Sequence, residues 1–566
     1  MTYREFLSTV DEKLNSMTEK DKTNWIHELA RKQKEYQWND FLLSFTVTAE
    51  AEAVLTEQIE RINDFLHKVE EGELCFHSEE EEYYEDDHWE RDFRTVYLDP
   101  EGIGKQLLAA FELAENLVVY KQYHYAAELY ERLCEVSVGV VGDYGEYDPL
   151  DLIDMIREGL LSLNMKSAAL NLLYSQYQCL SGTERIEKFV SYFNWRMFDG
   201  IKISEVFTAG PEELKNADLF LEEWVAALAE VQSNRAGELL TEACLELGGA
   251  TRLHKEAARL HERHPMLYEN LCIQYRNNGR LEDCENAGVE ALKVIPQRLT
   301  IRSRIADILF YAANERGSID IQHQAVQEAF FSRSSLCNFL RLYELPDKKT
   351  ITEKAARYAE ALPDSDSRFA QRNRVHSYMM NRTRKYDQWE ENVIAHQNKT
   401  IIYFFNLEFK RVIEVCTEGK GFLGWSDDDL RGVVVPLFLL ALNKDTKLTK
   451  AGAALVGDIK HKLDFEESEN RTFVESFLKW KEMLILPDEQ FESINQWLKE
   501  MIMKRTDAVV GGNYRNSYHK AAKLIVAYGE MLETNGQIGA KAHEIAHYKK
   551  LHSRKSAFRG ELDKLS

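Results

Sequence analysis

Long apolar runs are scarce in this sequence of 566 residues. The longest, from Gly432 to Leu442, contains Pro436 and falls short of the roughly 18 residues that a membrane-spanning helix needs. The segment from Met1 to Lys20 carries charges throughout and lacks an apolar centre, so it does not resemble a secretory signal peptide. We therefore expect a cytoplasmic protein that does not enter the membrane.

Positive charge is also in short supply. The chain has 71 Lys and Arg against 95 Asp and Glu, which gives a formal net charge of −24. Direct binding of nucleic acid is not expected, because its affinity comes largely from Lys and Arg side chains that neutralise phosphates. An acidic balance keeps a protein soluble. It would also suit a protein partner with a basic surface.

Cysteine and proline are few. None of the eight cysteines forms a CxC or CxxC pair, and most lie among apolar residues at helical spacing, so we interpret them as buried thiols of a reducing compartment. Gly419 to Gly424 matches GxGxxG, but Trp425 and three aspartates follow, which is not the strand–turn–helix context of a dinucleotide site. We predict no cofactor. Low proline content with abundant Ala, Leu, Glu and Lys favours helix.

Apolar residues recur at steps of three or four along most of the chain, which predicts an all-α, TPR-like helical-repeat (α-solenoid) architecture. The acidic run near residue 80 and a polar break with two prolines near residue 350 suggest the boundaries. The predicted segments are an N-terminal helical subdomain (1–70), an acidic linker or loop (71–95), TPR-like repeats (96–346), a second helical subdomain (347–460) and a C-terminal helical subdomain (461–566).

Two stretches have the pattern of a helical hairpin. In residues 121–133, Ala126 would let two helix backbones approach closely while Tyr130 fills the wider end. In residues 265–296, Gly279 follows the last periodic residue of one helix and Pro296 ends the next. A regular step of 34 residues with the full tetratricopeptide pattern is absent, so these repeats are degenerate.

Four stretches resemble the helical region that accompanies the SWIM zinc finger in prokaryotic proteins: AARLHERHPMLYENLCIQYRNNGRLEDCENAGVEALKVIPQRLTIRSRIADILFYAA, AFFSRSSLCNFLRLYEL, NYRNSYHKAAKLIVAYGEMLETNG and LHSRKSAFRGEL. The zinc finger itself needs a CxC followed by a CxH, and this chain has only the CxH at Cys75 and His77. The resemblance therefore implies a helical scaffold that takes part in assemblies, without the metal module and without catalytic residues.

His543, Glu544 and His547 form a literal HExxH motif. On a helix the two histidines would share a face and could bind zinc, and Glu544 could act as a general base. A third ligand would have to come from the residues after His547, with Glu561 or His552 as the candidate. The motif lies in a basic segment, which repels a cation, so we interpret it as a surface feature and keep a zinc-dependent metallopeptidase as an alternative.

Acidic clusters supply the candidate partner-binding residues. One cluster is Glu79, Glu80, Glu81, Glu82, Glu85, Asp86 and Asp87, and the other is Trp425, Asp427, Asp428 and Asp429. We predict a non-enzymatic scaffold or adaptor that sequesters or assembles a protein partner, as an accessory protein of a prokaryotic defence or regulatory system. Basic stretches such as 252–264 leave a further alternative, an accessory subunit of a nucleic-acid-processing complex.

Overall fold

The computed structural model describes residues 3–34, 38, 41, 49–83, 92–142, 145–365, 387–417, 421–423, 425, 429–445, 447–468 and 471–565. The chain divides into two compact units, Met1–Glu256 and Ala257–Ser566. The sequence predicted other boundaries, with 96–346 as one repeat region. The observed boundary falls inside a helix, so no proline-rich, glycine-rich or acidic linker marks it in the sequence.

The described residues of the first unit form eleven α-helices with the bounds given below and a small sheet. The helices are α1 (Tyr3–Ser16), α2 (Glu19–Lys32), α3 (Ala49–Glu70), α4 (Ile103–Val119), α5 (Tyr123–Glu135), α6 (Leu152–Arg157), α7 (Met165–Cys179), α8 (Gly182–Tyr192), α9 (Ile203–Ala209), α10 (Ala217–Leu228) and α11 (Asn234–Leu260), which crosses the boundary. Gly248 and Gly249 have non-helical dihedral angles and kink α11.

The sheet has four strands in the order β2-β1-β3-β4. The strands are β1 (Phe76–Tyr83), β2 (Asp92–Leu98), β3 (Ser137–Gly142) and β4 (Gly145–Asp151). β1 pairs antiparallel with β2 and parallel with β3, and β3 pairs antiparallel with β4. The prediction of an acidic linker or loop over 71–95 is therefore wrong for the residues in β1 and β2. A run of like charges hides the alternation of a strand, and the partner β3 lies far along the chain.

Helical hairpins make up the rest of the first unit. α4 packs against α5, and α5 packs against α7. Ala126 of α5 is fully buried, and Tyr130 accepts a hydrogen bond from Asn171 Nδ2 of α7 at 3.1 Å. The predicted pairing of a small and a large residue at this hairpin is confirmed.

In its described residues, the second unit consists of helices and their connections, with isolated β-bridges but no strand. Its helices are α12 (Met266–Asn277), α13 (Leu281–Val294), α14 (Ile301–Arg316), α15 (Ile319–Ser332), α16 (Leu336–Arg341), α17 (Lys348–Ala361), α18 (His396–Phe405), α19 (Phe409–Thr417), α20 (Arg431–Leu442), α21 (Lys450–Ile459), α22 (Phe473–Lys481), α23 (Asp488–Thr506), α24 (Tyr518–Thr534), α25 (Ala540–Leu551) and α26 (Ser556–Leu565). None of the described helices is both long enough and apolar enough to cross a membrane.

Two stacked hairpins, α12/α13 and α14/α15, begin this unit. Gly279 and Gly317 adopt positive φ angles of 69° and 74° in their turns, a conformation that favours glycine. Ala291 of α13 is fully buried, and a Cβ on Gly288 would lie 3.1 Å from Leu309 Cδ1 of α14. Small residues on α13 thus bring the two hairpins into close contact.

Polar contacts repeat at the tetratricopeptide step. Arg304 of α14 donates two hydrogen bonds of 2.8 Å to the carboxylate of Glu269 on α12, 35 residues earlier. Arg341 of α16 pairs with Asp307 of α14, 34 residues earlier. The first helix of one hairpin therefore contacts the first helix of the next at a step close to 34, although the sequence pattern is degenerate.

In the first unit, two tyrosines of α7 bond the backbone of the segment that precedes α10. Tyr174 Oη of α7 donates a hydrogen bond of 2.9 Å to the carbonyl oxygen of Glu212, 38 residues later. Tyr177 Oη bonds the carbonyl oxygen of Lys215 at the same spacing and distance. Together with the helical content, these repeated contacts confirm the predicted helical-repeat architecture. The sheet is an addition that the sequence did not indicate.

Overpacking tests the close helix contacts. We expect Ala126→Leu and Ala291→Leu each to lower the free energy of unfolding by about 1–3 kcal/mol, because both sites are fully buried and a larger side chain forces neighbouring helices apart. Chemical denaturation of the full chain measures the change. Ala546→Leu, on the exposed face of α25, is the control and should change it by less than about 0.5 kcal/mol. A neutral result at Ala126 and Ala291 would contradict the close crossing.

The buried ion pair between α12 and α14 gives a second test. Glu269 has a side chain only 5% exposed, so Arg304→Leu leaves a buried carboxylate without its bidentate partner. We expect the single substitution to cost about 3–5 kcal/mol. Adding Glu269→Leu should recover a large part of that loss, since the buried carboxylate that lost these two hydrogen bonds is then removed as well. Equal stability of the single and double variants would show that the pair does not carry this energy.

Candidate protein-binding surface

β1 forms because its side chains alternate between two faces of the sheet. Phe76 is fully buried and Ser78 is 5% exposed, while His77, Glu79 and Glu81 are exposed on the other face. Phe76 pairs with Val140 of β3, which is also buried, so the inner face joins the core of the first unit. The opposite face, here called the outer sheet face, carries the acidic residues.

Three glutamates of the acidic run are exposed near one end of the sheet. Glu79 and Glu81 lie on the outer sheet face, and Glu80 is exposed on the inner side, beyond the packed core. Their cross-strand neighbours on β2 are Val96 for Glu79, Thr95 for Glu80 and Arg94 for Glu81. A run of like charges this close together creates a strongly negative local potential.

Arg94 is the one basic residue opposite these glutamates. Its Nη2 lies 3.4 Å from Glu81 Oε2, and both side chains are about two-thirds exposed, at 68% and 64%. An ion pair in this setting contributes about 0–1 kcal/mol and is readily exchanged. The acidic surface therefore keeps most of its charge available to a partner.

The rest of the predicted acidic run is described only in part. Glu82 belongs to β1, where its Cα pairs with that of Phe93. Glu85, Asp86 and Asp87 lie outside the described residues. The structure therefore places Glu79, Glu80 and Glu81 together, and the sequence had no means of assigning two of them to one face.

An apolar row borders the acidic end of the outer sheet face. His77 pairs with Leu98 of β2 on one side and with Val141 of β3 on the other. Leu98 and Val141 are 39% and 40% exposed. Apolar side chains next to charged ones are typical of protein interfaces, where the apolar centre is surrounded by a polar rim. Sequence reasoning missed this row because its members come from three separated strands.

The two described residues of the second predicted cluster, Trp425 and Asp429, lie in the other unit and make contacts within the fold. Both oxygens of Asp429 accept hydrogen bonds from Arg431, whose side chain is 2% exposed. Trp425 is half-buried, with the Arg505 guanidinium 5.2 Å from its ring centroid. Burial lowers the pKa of Arg505, although it stays protonated at neutral pH. Asp429 thus stabilises its own segment, while Asp427 and Asp428 lie outside the described residues.

The HExxH motif lies in the middle of α25. Ile545 and Tyr548 are buried and face the core, while His543 and His547 are exposed on the other side. Glu561 pairs with Lys564 on α26 at 2.6 Å. In the part of the chain that the structure describes, no three His, Cys, Asp or Glu side chains are grouped so that they could hold a metal ion. The alternative zinc site at His543, His547 and Glu561 is therefore not assembled.

All eight cysteines are free thiols. Five are buried, and burial raises the pKa of Cys244 and of Cys416 to about 12. Raised pKa values keep a thiol protonated and unreactive at neutral pH. The prediction of buried thiols is confirmed for these five, whereas Cys179 is exposed.

A cavity of about 380 Å³ lies between α6, α7 and residues 196–201 of the first unit. Apolar side chains line most of it, and its two cations already have acidic partners: Lys166 with Glu205 at 2.6 Å, and Arg196 with Asp151 at 3.7 Å. Catalytic pockets usually combine an apolar wall with convergent polar groups. These paired charges at the rim do not form such a set.

Fold and surface together define a helical-repeat protein with an inserted acidic sheet. No family model matches the chain, and no curated protein matches it. A solved structure with a similar chain is described as "Crystal structure of APC/C hetero-tetramer Cut9-Hcn1". The identity is 12%, the match covers 81% of this chain and 76% of that chain, and the TM-score is 0.18. A similarity this low supports no inference about function.

Removal of the motif histidines tests the surface interpretation of HExxH. We expect His543→Ala with His547→Ala to leave the melting temperature unchanged, because both side chains are exposed and the buried face of α25 is untouched. Elemental analysis of the purified full chain should detect no stoichiometric zinc in either protein. Zinc present in the parent chain and lost in the variant would restore the metallopeptidase alternative.

Proposed function

We propose that this chain is a non-enzymatic protein-binding scaffold, and that Glu79, Glu80 and Glu81 recognise a basic surface of its protein partner. The observation that carries the proposal is the exposure of three neighbouring glutamates on a strand whose one opposing cation is itself exposed. Helical repeats commonly serve as binding scaffolds, because stacked hairpins leave extended surfaces free for docking.

Charge and rigidity both favour this role. β2 pairs with β1 over residues 77–83 and β3 pairs with it over 76–78, so the glutamates are presented on a strand of the sheet rather than on a loop. Preorganised groups lose less conformational entropy on binding. The net charge of −24 steers a basic partner toward the chain and repels acidic ones.

The finer predictions from sequence remain part of the proposal. They are a relationship to the helical region of SWIM zinc-finger proteins, an accessory role in a prokaryotic defence or regulatory system, and a cytoplasmic location. The metallopeptidase alternative gains no support, because the two motif histidines are exposed and Glu561 bonds Lys564. The same acidic surface would disfavour direct contact with nucleic acid.

Charge reversal provides the test. A labelled peptide in which Lys alternates with Val and Thr is titrated with the full chain, and fluorescence anisotropy reports binding. We expect binding that weakens as salt rises. Reversal by Glu79→Lys with Glu81→Lys should weaken it at least about tenfold, equivalent to about 1.4 kcal/mol.

The matched control is Glu112→Lys with Glu128→Lys, two exposed helix positions of the same unit. It changes the net charge of the chain by the same amount, so it should retain binding if the position of the charge matters. If both variants lose peptide binding equally, binding depends only on the net charge of the chain, and the proposed surface is contradicted. A peptide with Glu in place of Lys should not bind.

A further inference from the structure

The two edges of the sheet differ in how they are protected. At one edge, β4 begins at Gly145 and contains Pro149, and its register with β3 shifts between Val138 and Val140. Proline and irregular register are common devices that stop an edge from pairing with another chain. The β4 edge is therefore closed to further strands.

The other edge has neither device. β2 runs from Asp92 to Leu98 without proline or glycine, and it keeps one continuous register with β1 from His77 to Tyr83. Within the described residues, β2 pairs with β1 on one side and with no strand on its outer side. A regular edge strand presents unpaired N–H and C=O groups that can hydrogen-bond an added strand.

Charge favours a basic segment at this edge. An added strand would lie about 5 Å from β2 and about 10 Å from β1, at the usual strand spacing. A long basic side chain placed opposite Val96 could reach across it to Glu79, because Val96 and Glu79 face each other on the outer sheet face. Arg94 disfavours a second cation directly opposite itself.

We propose that the partner's basic segment binds as an additional strand along the outer edge of β2, with alternate basic side chains over the outer sheet face. This inference rests on the proposed function and adds the mode of binding. Backbone hydrogen bonds would supply affinity, and the alternation of side chains would supply specificity. A second copy of this chain fits the edge less well, since edge pairing would bring two sets of glutamates together.

Alternate backbone N-methylation tests the mode. The probe is the Lys/Val/Thr peptide of about eight residues, close to a typical strand length. In an added strand, N–H groups of every second residue point toward β2 and the others point away. Two versions are made, methylated on the odd or on the even residues. A slip of the peptide by one residue would move its Lys side chains to the other face of the sheet. The alternation of Lys with Val and Thr therefore fixes which N–H groups point toward β2.

We expect one methylated peptide to lose binding at least about tenfold, while the other binds like the parent. Hydrogen exchange of the complex should show new protection over residues 92–98, which side-chain attraction does not produce. The Glu112→Lys, Glu128→Lys control chain should give the same pattern as the parent chain.

The outcomes separate the two proposals. If the unmethylated peptide does not bind, the proposal that Glu79, Glu80 and Glu81 recognise a basic partner is contradicted. If both methylated peptides bind like the parent, or residues 92–98 gain no protection, acidic recognition stands and strand addition is overturned. A concentration-dependent dimer that protects 92–98 without peptide would also overturn it, since a second copy would then occupy the edge.

Discussion

Close contact between neighbouring helices, made possible by small residues, is the constraint on which this fold depends. Ala126 and Ala291 are fully buried, and Gly288 brings its helix within van der Waals distance of Leu309. In the stacked hairpins α12/α13 and α14/α15, apolar side chains are buried between helices that are neighbours in the chain, as in other helical repeats. The same arrangement leaves the outer faces of the hairpins free to diverge in sequence.

Buried polar contacts add specificity to this packing. Hydrogen bonds between Arg304 and Glu269 fix one hairpin against the next, because a slip of either helix would leave a buried charge unpaired. In the first unit, the hydroxyl groups of Tyr174 and Tyr177 on α7 bond backbone carbonyls of the segment that precedes α10. The first helices of successive hairpins in the second unit thus keep contacts at a step close to 34 residues, although the sequence motif has degenerated.

The sheet introduces a feature that helices do not offer. A strand can present its backbone as well as its side chains, and β1 and β2 combine an acidic face with an edge that lacks protective proline. Other candidate groups are used within the fold: Asp429 bonds Arg431, and burial raises the pKa of the Cys244 and Cys416 thiols to about 12. The acidic outer sheet face is therefore the best-supported surface for a partner.

Sequence periodicity by itself determined the helical-repeat class, the small residue at Ala126 and the turn at Gly279, since these follow from local spacing of three to four residues. The acidic run also indicated the glutamates at 79–81 as binding candidates.

Only the tertiary structure decided that these glutamates lie on a strand. The pairing of β1 with β2 and β3 is non-local, and a run of like charges masks the alternation of period two. The tertiary structure likewise placed the unit boundary inside α11, engaged Asp429 with Arg431, and left His543 and His547 without a third ligand from Glu561. Which side chains meet depends on distances between segments far apart in the chain, and no local pattern of residues contains that information.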